Sequence, residues 1–138
     1  MMIIVQEETT GCGIAAVANI VGVSYATVKT QANSMRIYAE DEALYSDTVY
    51  IRNLLSQFGY ATSAHEILFE QWEQMPNPAL LAIKYHVEHG KPFWHWVVFQ
   101  HEAGIPVVFD SDPHLTNNVR TDFEAMKPTW YIPVSKIE

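Results

Sequence analysis

The chain has 138 residues, of which 49% are hydrophobic and 17% are charged, a composition ordinary for a globular protein. Sixteen acidic residues against eight basic ones leave a net charge of −8. This balance argues against nucleic acid or an anionic membrane surface as a partner, because both attract clustered lysine and arginine. The length suits one domain, residues 1–138, built around one core.

The sequence carries no sign of export or membrane insertion. Its first residues, MMIIVQEE, form a very short apolar run without a basic start, so we expect no signal peptide and no membrane segment. One cysteine offers no internal disulfide and suits a reducing compartment. We therefore expect a cytoplasmic protein, whose oligomeric state the sequence leaves open.

Two helices are predicted near the N-terminus. Residues 12–22 are apolar and rich in alanine, which predicts a buried helix with Cys12 in its first turn and Gly22 as its stop. Residues 24–35 predict a second helix with Ser24 as the N-cap. Its expected core positions are Ala26, Val28 and Ala32.

Two further helices are predicted before residue 76. Residues 46–60 open with Ser46 or Asp47 as a cap and stop at Gly59. The apolar residues of this segment recur at helical spacing: Val49, Ile51, Leu54, Leu55 and Phe58. Residues 64–75 predict a shorter helix that ends at the following proline.

The second half of the chain has the character of a sheet. Its apolar, aromatic and β-branched segments predict strands at residues 78–87, 93–100, 105–110 and 129–134. The intervening HEAG (101–104) predicts a hairpin turn, and Pro133 places the last strand at a sheet edge, because proline donates no ladder hydrogen bond. Helices followed by an antiparallel sheet indicate an α+β fold.

Cys12 is the only thiol in the chain. Most lone cysteines are small buried residues without chemistry. The alternative is a nucleophile, because the free backbone N–H groups of a helix N-terminus favour an anion there. The neighbouring Gly11 and Gly13 permit a sharp backbone turn and the close approach of a substrate.

A nucleophilic thiol needs a base, and His95 is a candidate because it lies within the apolar strand FWHWVVFQ. A buried imidazole without a partner costs about 1–3 kcal/mol, so its ring is expected to be hydrogen-bonded. The alternative interpretation is a core histidine whose hydrogen bonds are satisfied without any catalytic role. Strand alternation places His95 on one face with Val97 and Phe99.

Two acids, Asp110 and Asp112, lie at the end of the next strand, and a hairpin would bring them close to His95. A turn centred between Glu102 and Ala103 sets Asp110 opposite His95, whereas a one-residue shift sets Asp112 there. A carboxylate beside a histidine fixes its tautomer and stabilises its cation. The alternative is that FDSDP forms a polar turn without function.

Three further polar residues have side chains suited to catalysis or to metal binding. Gln6 precedes Cys12 by six residues, where a side-chain amide is able to donate to an oxyanion. His86 and His89 are three residues apart, a spacing that would suit a metal site on a helix. Their segment, however, is predicted to be a strand end or loop, and the sequence near them contains no further cluster of metal ligands. We therefore expect neither a metal nor another cofactor.

Together these segments resemble the papain-like cysteine peptidases. They are most similar to the bacteriocin-processing peptidases, which cut leader peptides after a Gly-Gly pair. The shared patterns are a glutamine, five residues and Cys-Gly opening an alanine-rich helix (QEETTGCGIAAVANIVG), a histidine before aromatic and valine residues (HWVVF), and an acid ending the next strand (FDSDP). The resemblance extends from Gln6 to the last strand near Tyr131.

The resemblance implies a bacterial, papain-like hydrolase acting on a peptide or protein. It assigns Cys12 as the nucleophile, His95 as the base and acid, and Asp110 as the orienting carboxylate. It assigns the side chain of Gln6, with the backbone N–H of Cys12, to the oxyanion. The chain departs from the family pattern at Gly11, where the family often has Asp, and at Ser111, where it has Pro; the second departure keeps Asp112 as an alternative acid.

Two other functions fit the same residues. The triad also serves deamidases and transglutaminases, which transfer the acyl group of a glutamine side chain. A module that binds a leader peptide without turnover is the third possibility, which the complete Cys, His and Asp set disfavours.

Overall fold

The computed structural model of the protein describes residues 3–7, 11–41, 43–44 and 47–137. Three helices come first in this part of the chain: α1 (Cys12–Val21), α2 (Tyr25–Ser34) and α3 (Val49–Gln57). Seven strands and a short fourth helix follow: β1 (Tyr60–Thr62), β2 (Ile67–Leu68), β3 (Ala79–Glu88), β4 (Lys91–Glu102), β5 (Ile105–Phe109), β6 (Val119–Arg120), α4 (Phe123–Met126) and β7 (Trp130–Lys136).

The first two helices begin and end where local signals predict. Gly22 ends α1 with a left-handed backbone (φ 83°), and its N–H donates to the carbonyl of Ala18 at 2.8 Å. Ser24 caps α2 by accepting the N–H of Thr27 at 3.1 Å. Of the three core positions expected in α2, Val28 and Ala32 are buried, whereas Ala26 is exposed.

The third helix also forms, with its start slightly displaced. Thr48 is the N-cap residue, and the Asp47 carboxylate accepts the N–H of Val49 at 2.8 Å; Ser46, the other predicted cap, lies outside the described residues. The buried side of α3 comprises Tyr50, Ile51, Leu54 and Leu55. Val49 is not part of the core, because it is 58% exposed in the first turn.

The prediction of a helix at residues 64–75 is wrong. This segment contains β2, which pairs with β7, and a single 3-10 turn at Trp72–Gln74. The indole of Trp72 contacts the rings of Phe69, Phe99 and Phe123, with centroid distances of 5.0, 6.0 and 4.8 Å. The contacts with Phe99 and Phe123 and the pairing with β7 are long-range, and they outweigh the weak helical pattern of the segment.

The strands form an antiparallel sheet with the order β1-β7-β3-β4-β5-β6. The last strand is therefore not at an edge, contrary to the prediction from Pro133. It lies between β3 on one side and the short strands β1 and β2 on the other. Proline is tolerated there because the pairing of β7 with β1 starts at Val134 and its pairing with β2 stops at Tyr131. Pro133 therefore lies in the gap between the two short partner strands, where no ladder hydrogen bond is required of its nitrogen.

Helices and sheet together enclose the core. On one sheet face α1, α2 and α3 pack against Leu80, Trp96, Val98, Phe109 and Ile132. A second cluster on the other face includes Leu81, Val97, Phe99, Val108 and Met126. This arrangement confirms the predicted α+β class and places the start of α1 against β4, the strand that carries His95.

Among the described residues, no single helix is long and apolar enough to cross a membrane. Within the same part of the chain, the pair α1 and α2 meets the requirements of length and composition when the two are taken together across a bend of 115°.

Candidate active site

Cys12 is the first residue of α1 and is half-buried. Its N-cap is Gly11, which has no side chain that could accept a hydrogen bond from the backbone N–H groups of the first turn. A helix N-terminus of this kind favours an anion, and the thiol is the group that the fold places there.

His95 lies on β4 with 15% of its side chain exposed. Its Nε2 lies 2.7 Å from Oδ1 of Asp110, and since a carboxylate only accepts, Nε2 is the donor. The imidazole also shares a side-chain hydrogen bond with Cys12. Because Nε2 is bonded to Asp110, Nδ1 is the ring nitrogen that remains for the Cys12 sulfur. Cys12, His95 and Asp110 therefore lie in one hydrogen-bonded row.

The electrostatics of this row favour a protonated imidazole. Burial disfavours the imidazolium, but hydrogen bonds with Asp110 and Cys12, together with the negative charges of both groups, raise the pKa of His95 to about 9. Burial likewise acts against the carboxylate, yet the hydrogen bond and the charge of His95 lower the pKa of Asp110 to about 2. An ion pair is the stable state of the two residues at neutral pH.

The structure decides which of the two acids contacts the histidine. The hairpin turns at Ala103 and Gly104, which both have positive φ (52° and 80°), and this register would set Asp112 opposite His95 if β5 continued. The strand instead ends at Phe109, and the chain bends so that Asp110 reaches the imidazole.

Three residues hold the bend after β5. The Asp110 N–H donates to the carbonyl of Asn118 at 2.8 Å, and Nδ2 of Asn118 donates to the carbonyls of Asp110 (2.7 Å) and Asp112 (2.8 Å). Asp112 is turned outward, where its carboxylate accepts the N–H of His114 and lies 3.9 Å from Nζ of Lys84. Of the two acids, Asp110 is the one that is hydrogen-bonded to the imidazole of His95.

Arg120 is a member of the site that sequence reasoning missed. It lies on β6, where Nη1 donates to Oδ2 of Asp110 at 3.0 Å and Nη2 donates to Asp122 at 2.7 Å. The Asp110 side chain is only 1% exposed, so its second oxygen needs this partner. No local motif marks Arg120, because its role depends on the pairing of β5 with β6.

We expect Arg120→Met to destabilise the protein by about 1–3 kcal/mol at pH 7, the typical cost of a buried acceptor left unsatisfied. Arg120 is also one of the groups that lower the pKa of Asp110, so the difference in stability between wild type and variant should narrow as the pH falls below 3.8, the ordinary value of the carboxyl. Urea unfolding from pH 3 to pH 7 measures both effects. The control is Asp122→Asn, which removes the charge of the exposed acid that pairs with the same guanidinium. An equal loss of stability in both variants would contradict the role of Arg120 as the partner of Asp110.

Gln6 lies beside the same loop and is 7% exposed. Its backbone N–H donates to the carbonyl of Ser111 at 3.1 Å, and its Oε1 accepts the hydroxyl of Ser111 at 2.8 Å. The glutamine is thereby tied to the neighbour of Asp110. Residues 8–10, which connect it to Gly11, lie outside the described residues.

Tyr50 of α3 is a second residue that the sequence did not single out. Burial, followed by the charge of Cys12, raises the pKa of the Tyr50 phenol well above its ordinary value, while a hydrogen bond from Trp96 acts in the opposite direction. The phenol is therefore neutral next to the Cys12 thiol. It also explains Gly13, since a Cβ at that position would overlap with the Tyr50 hydroxyl and lie 2.9 Å from Cζ.

We expect Gly13→Ala to destabilise the protein by about 1–3 kcal/mol, the usual cost of overpacking, because the added Cβ would overlap with the buried Tyr50 side chain. Denaturant unfolding measures this loss. In a Tyr50→Phe background, which lacks the overlapping hydroxyl, the same substitution should cost less. An identical cost in both backgrounds would show that the overlap with Tyr50 is not the reason.

The histidine pair considered for a metal is on the surface. His86 Nδ1 lies 2.9 Å from the carbonyl of Lys84, and Nε2 lies 3.4 Å from Glu88. His89 has a positive φ (53°) next to Gly90 in the turn between β3 and β4. Within the described part of the chain, no group of three or more His, Cys, Asp or Glu side chains is arranged to hold a metal ion.

Among the solved structures that this chain resembles are two whose likeness covers nearly the whole chain. One is the peptidase domain of Streptococcus ComA, a bi-functional ABC transporter involved in a quorum sensing pathway: TM-score 0.62, 15% identity, and 96% of each chain covered. The other is a double glycine motif protease from an AMS/PCAT transporter in complex with the leader peptide: TM-score 0.62, 14% identity, and 98% of this chain and 91% of that one covered. This chain has their papain-like fold. The predicted fold is thereby confirmed.

No protein-family model and no curated protein sequence matches the chain. At 14 and 15% identity, the likeness to the two peptidase domains is one of fold. Within that papain-like fold, the helix that begins at Cys12 packs against the strand of His95, and the chemistry of the site depends on the residues described above.

Proposed function

We propose that this chain is a cysteine peptidase in which Cys12 is the nucleophile, His95 the general base and acid, and Asp110 the orienting carboxylate. The observation that carries the proposal is the hydrogen-bonded row from the thiol through the imidazole to the buried carboxylate. The same row begins at the N-terminus of α1, where an anionic sulfur is favoured.

The row supplies an activated nucleophile. Because the pKa of His95 is raised to about 9, its imidazole holds a proton at neutral pH, and this positive charge beside the sulfur favours a thiolate nucleophile. Asp110 accepts from Nε2 and so keeps Nδ1 directed at the sulfur. We propose a thiolate–imidazolium pair as the reactive form of the site.

Acylation follows from this geometry. The thiolate attacks the carbonyl carbon of the scissile peptide, forming a C–S bond and an oxyanion. The oxyanion collapses as the C–N bond breaks, and Nδ1–H of His95 gives its proton to the departing amine. The products of the step are a thioester on Cys12, a free amine and a neutral His95.

Hydrolysis of the thioester regenerates the site. Neutral His95 takes a proton from water as the water oxygen attacks the thioester carbonyl. The second oxyanion collapses with cleavage of the C–S bond, which returns the thiolate to Cys12 and leaves the imidazolium on His95. The released acid carries the new C-terminus of the substrate.

Two donors are assigned to the oxyanion. One is the backbone N–H of Cys12, which is in the first turn of α1 and has no intrahelical acceptor. The other is the side-chain amide of Gln6, which is held in a buried position by Ser111. Donors that are positioned before the reaction stabilise the developing charge without reorganisation.

For the substrate we propose a peptide or protein cut after small residues, such as a Gly-Gly leader. The support is the resemblance of the Gln6, Cys12, His95 and Asp110 segments to the leader peptidases, together with the fold likeness to a double glycine motif protease solved with its leader peptide.

The test is incubation with a leader peptide containing Gly-Gly, with products identified by mass spectrometry. We expect two fragments with a new C-terminal glycine, and loss of cleavage when one equivalent of iodoacetamide has alkylated the protein. Since Cys12 is the only cysteine, alkylation reports on that residue alone. Ammonia release from glutamine with an intact backbone, or tight binding of uncut peptide that persists in Cys12→Ala, would contradict the peptidase proposal.

A further inference from the structure

Gln6 and Ser111 are joined at two points although 105 residues separate them. The Gln6 N–H donates to the Ser111 carbonyl at 3.1 Å, and the Ser111 hydroxyl donates to Gln6 Oε1 at 2.8 Å. Both residues are buried, with exposures of 7% and 3%. We call this arrangement the Gln6–Ser111 pair.

The direction of the side-chain hydrogen bond has a chemical consequence. An amide group is planar, so a donor that occupies Oε1 fixes the rotation of the whole group and turns Nε2 away from Ser111. Donation to Oε1 also polarises the amide, which strengthens its N–H groups as donors. A side chain held in this way has two properties that an oxyanion donor needs, a fixed position and a strengthened N–H donor.

Ser111 directly follows Asp110 in the chain. One residue of this dipeptide holds the imidazole of His95, and the next holds the amide of Gln6. The bend after β5, which Asn118 secures, thus sets the relative position of the base and of the oxyanion donor. Flexibility at this bend would displace both groups together.

We propose that Ser111 is a positioning residue that orients the Gln6 amide for the oxyanion. This inference rests on the proposed peptidase function, because it assigns Ser111 a part in the same reaction. Ser111 is expected to act through Gln6 and not through Asp110, since its side chain bonds to Gln6.

Steady-state kinetics of Ser111→Ala test the inference. We expect kcat to fall about 10- to 100-fold with KM within about twofold, less than the roughly 10²–10³-fold cost of removing an oxyanion donor outright. Ser111→Thr, which keeps the hydroxyl, should retain most of the wild-type kcat. Ser135→Ala, an exposed serine of β7, is the control and should match the wild type.

A double-mutant cycle separates positioning from a general structural role. In a Gln6→Ala background, Ser111→Ala should cause no further loss of kcat, and the alkylation rate of Cys12 should be the same with and without Ser111→Ala. An equal loss in both backgrounds, a Thr variant as impaired as the Ala variant, or an unchanged kcat in Ser111→Ala would each overturn the inference.

A spectroscopic readout keeps this test apart from that of the proposed function. The Gln6 side-chain amide should give two well-separated ¹⁵N-edited proton signals, assigned by their loss in Gln6→Ala. In Ser111→Ala these signals should move towards those of the exposed Gln57. Absence of turnover in the wild type would contradict the peptidase proposal, whereas unchanged Gln6 signals in Ser111→Ala would contradict the positioning role alone.

Discussion

Replacing His95 by alanine is expected to lower kcat/KM for peptide cleavage by about 10⁶-fold, the scale of losing the base of a catalytic triad. The substitution removes the group that takes the thiol proton and later delivers it to the leaving amine. Alkylation of Cys12 at pH 6 should slow in parallel, because the thiolate loses its imidazolium partner. Initial-rate cleavage assays and iodoacetamide kinetics measure the two effects.

His101→Ala is the matched control for this variant. His101 lies on the same strand as His95, with its side chain exposed, and should leave both rates near those of the wild type. If His95→Ala left the alkylation rate unchanged across pH 5 to 8, the thiolate–imidazolium pair would be disproved. If alkylation slowed but the wild type cleaved no peptide, the pair would stand and the peptidase assignment would fail.

Replacing Asp110 by asparagine is expected to lower kcat by about 10⁴-fold, while Cys12 and His95 remain. The neutral amide no longer requires a proton on Nε2, so the imidazole loses both its fixed tautomer and its compensating charge. Asp112→Asn is the matched control two residues away, since its carboxylate faces Lys84 and not the imidazole. An equal loss in both variants would contradict the choice of Asp110.

The pH profile of activity gives a second measure of the same substitution. In the wild type His95 keeps its proton up to about pH 9, so the alkaline limb of kcat/KM should fall near that value. Asp110 is one of the groups that raise the pKa of His95. In Asp110→Asn the limb should therefore move towards 6.5, the ordinary value for histidine. A limb that stays near pH 9 would show that Asp110 does not support the imidazolium.

The free energy of unfolding should depend on pH in two opposite ways, because the pKa of His95 is raised and that of Asp110 is lowered. The raised pKa of His95 contributes stability that is complete below about 6.5 and is lost as the pH rises through about 9. The lowered pKa of Asp110 contributes stability that is present above 3.8 and is lost as the pH falls through about 2. The difference in melting temperature between wild type and Asp110→Asn should therefore be largest from about pH 4 to 6.5 and narrow towards pH 9.

Local patterns were sufficient to predict most of the regular structure. The three long helices follow from apolar spacing with a capping residue or a glycine stop, as at Ser24 and Gly22. The strands β3, β4 and β5 follow from apolar and β-branched runs, and their hairpin from the segment around Gly104. These features are decided by residues within one or two turns of each other, so a sequence displays them directly.

Features that depend on distant partners were predicted less well. Residues 64–75 form β2 and a 3-10 turn because β7 and the rings of Phe99 and Phe123, all from other parts of the chain, contact them. The last strand lies inside the sheet because two short strands share its free side, an arrangement that Pro133 alone does not reveal. In both cases a local preference was outweighed by long-range pairing.

By itself the sequence determined which chemical groups are present and which elements carry them. A lone thiol opens a helix, a histidine interrupts an apolar strand, and acids end the next one, because residue type and periodicity are local properties. Only the tertiary structure decided which of these groups meet. It brought Asp110 and not Asp112 to His95, added Arg120 behind the carboxylate, and tied Gln6 to Ser111. Those choices depend on where β5 ends and how the chain bends after it, and that bend is held by contacts with residues far away in the sequence.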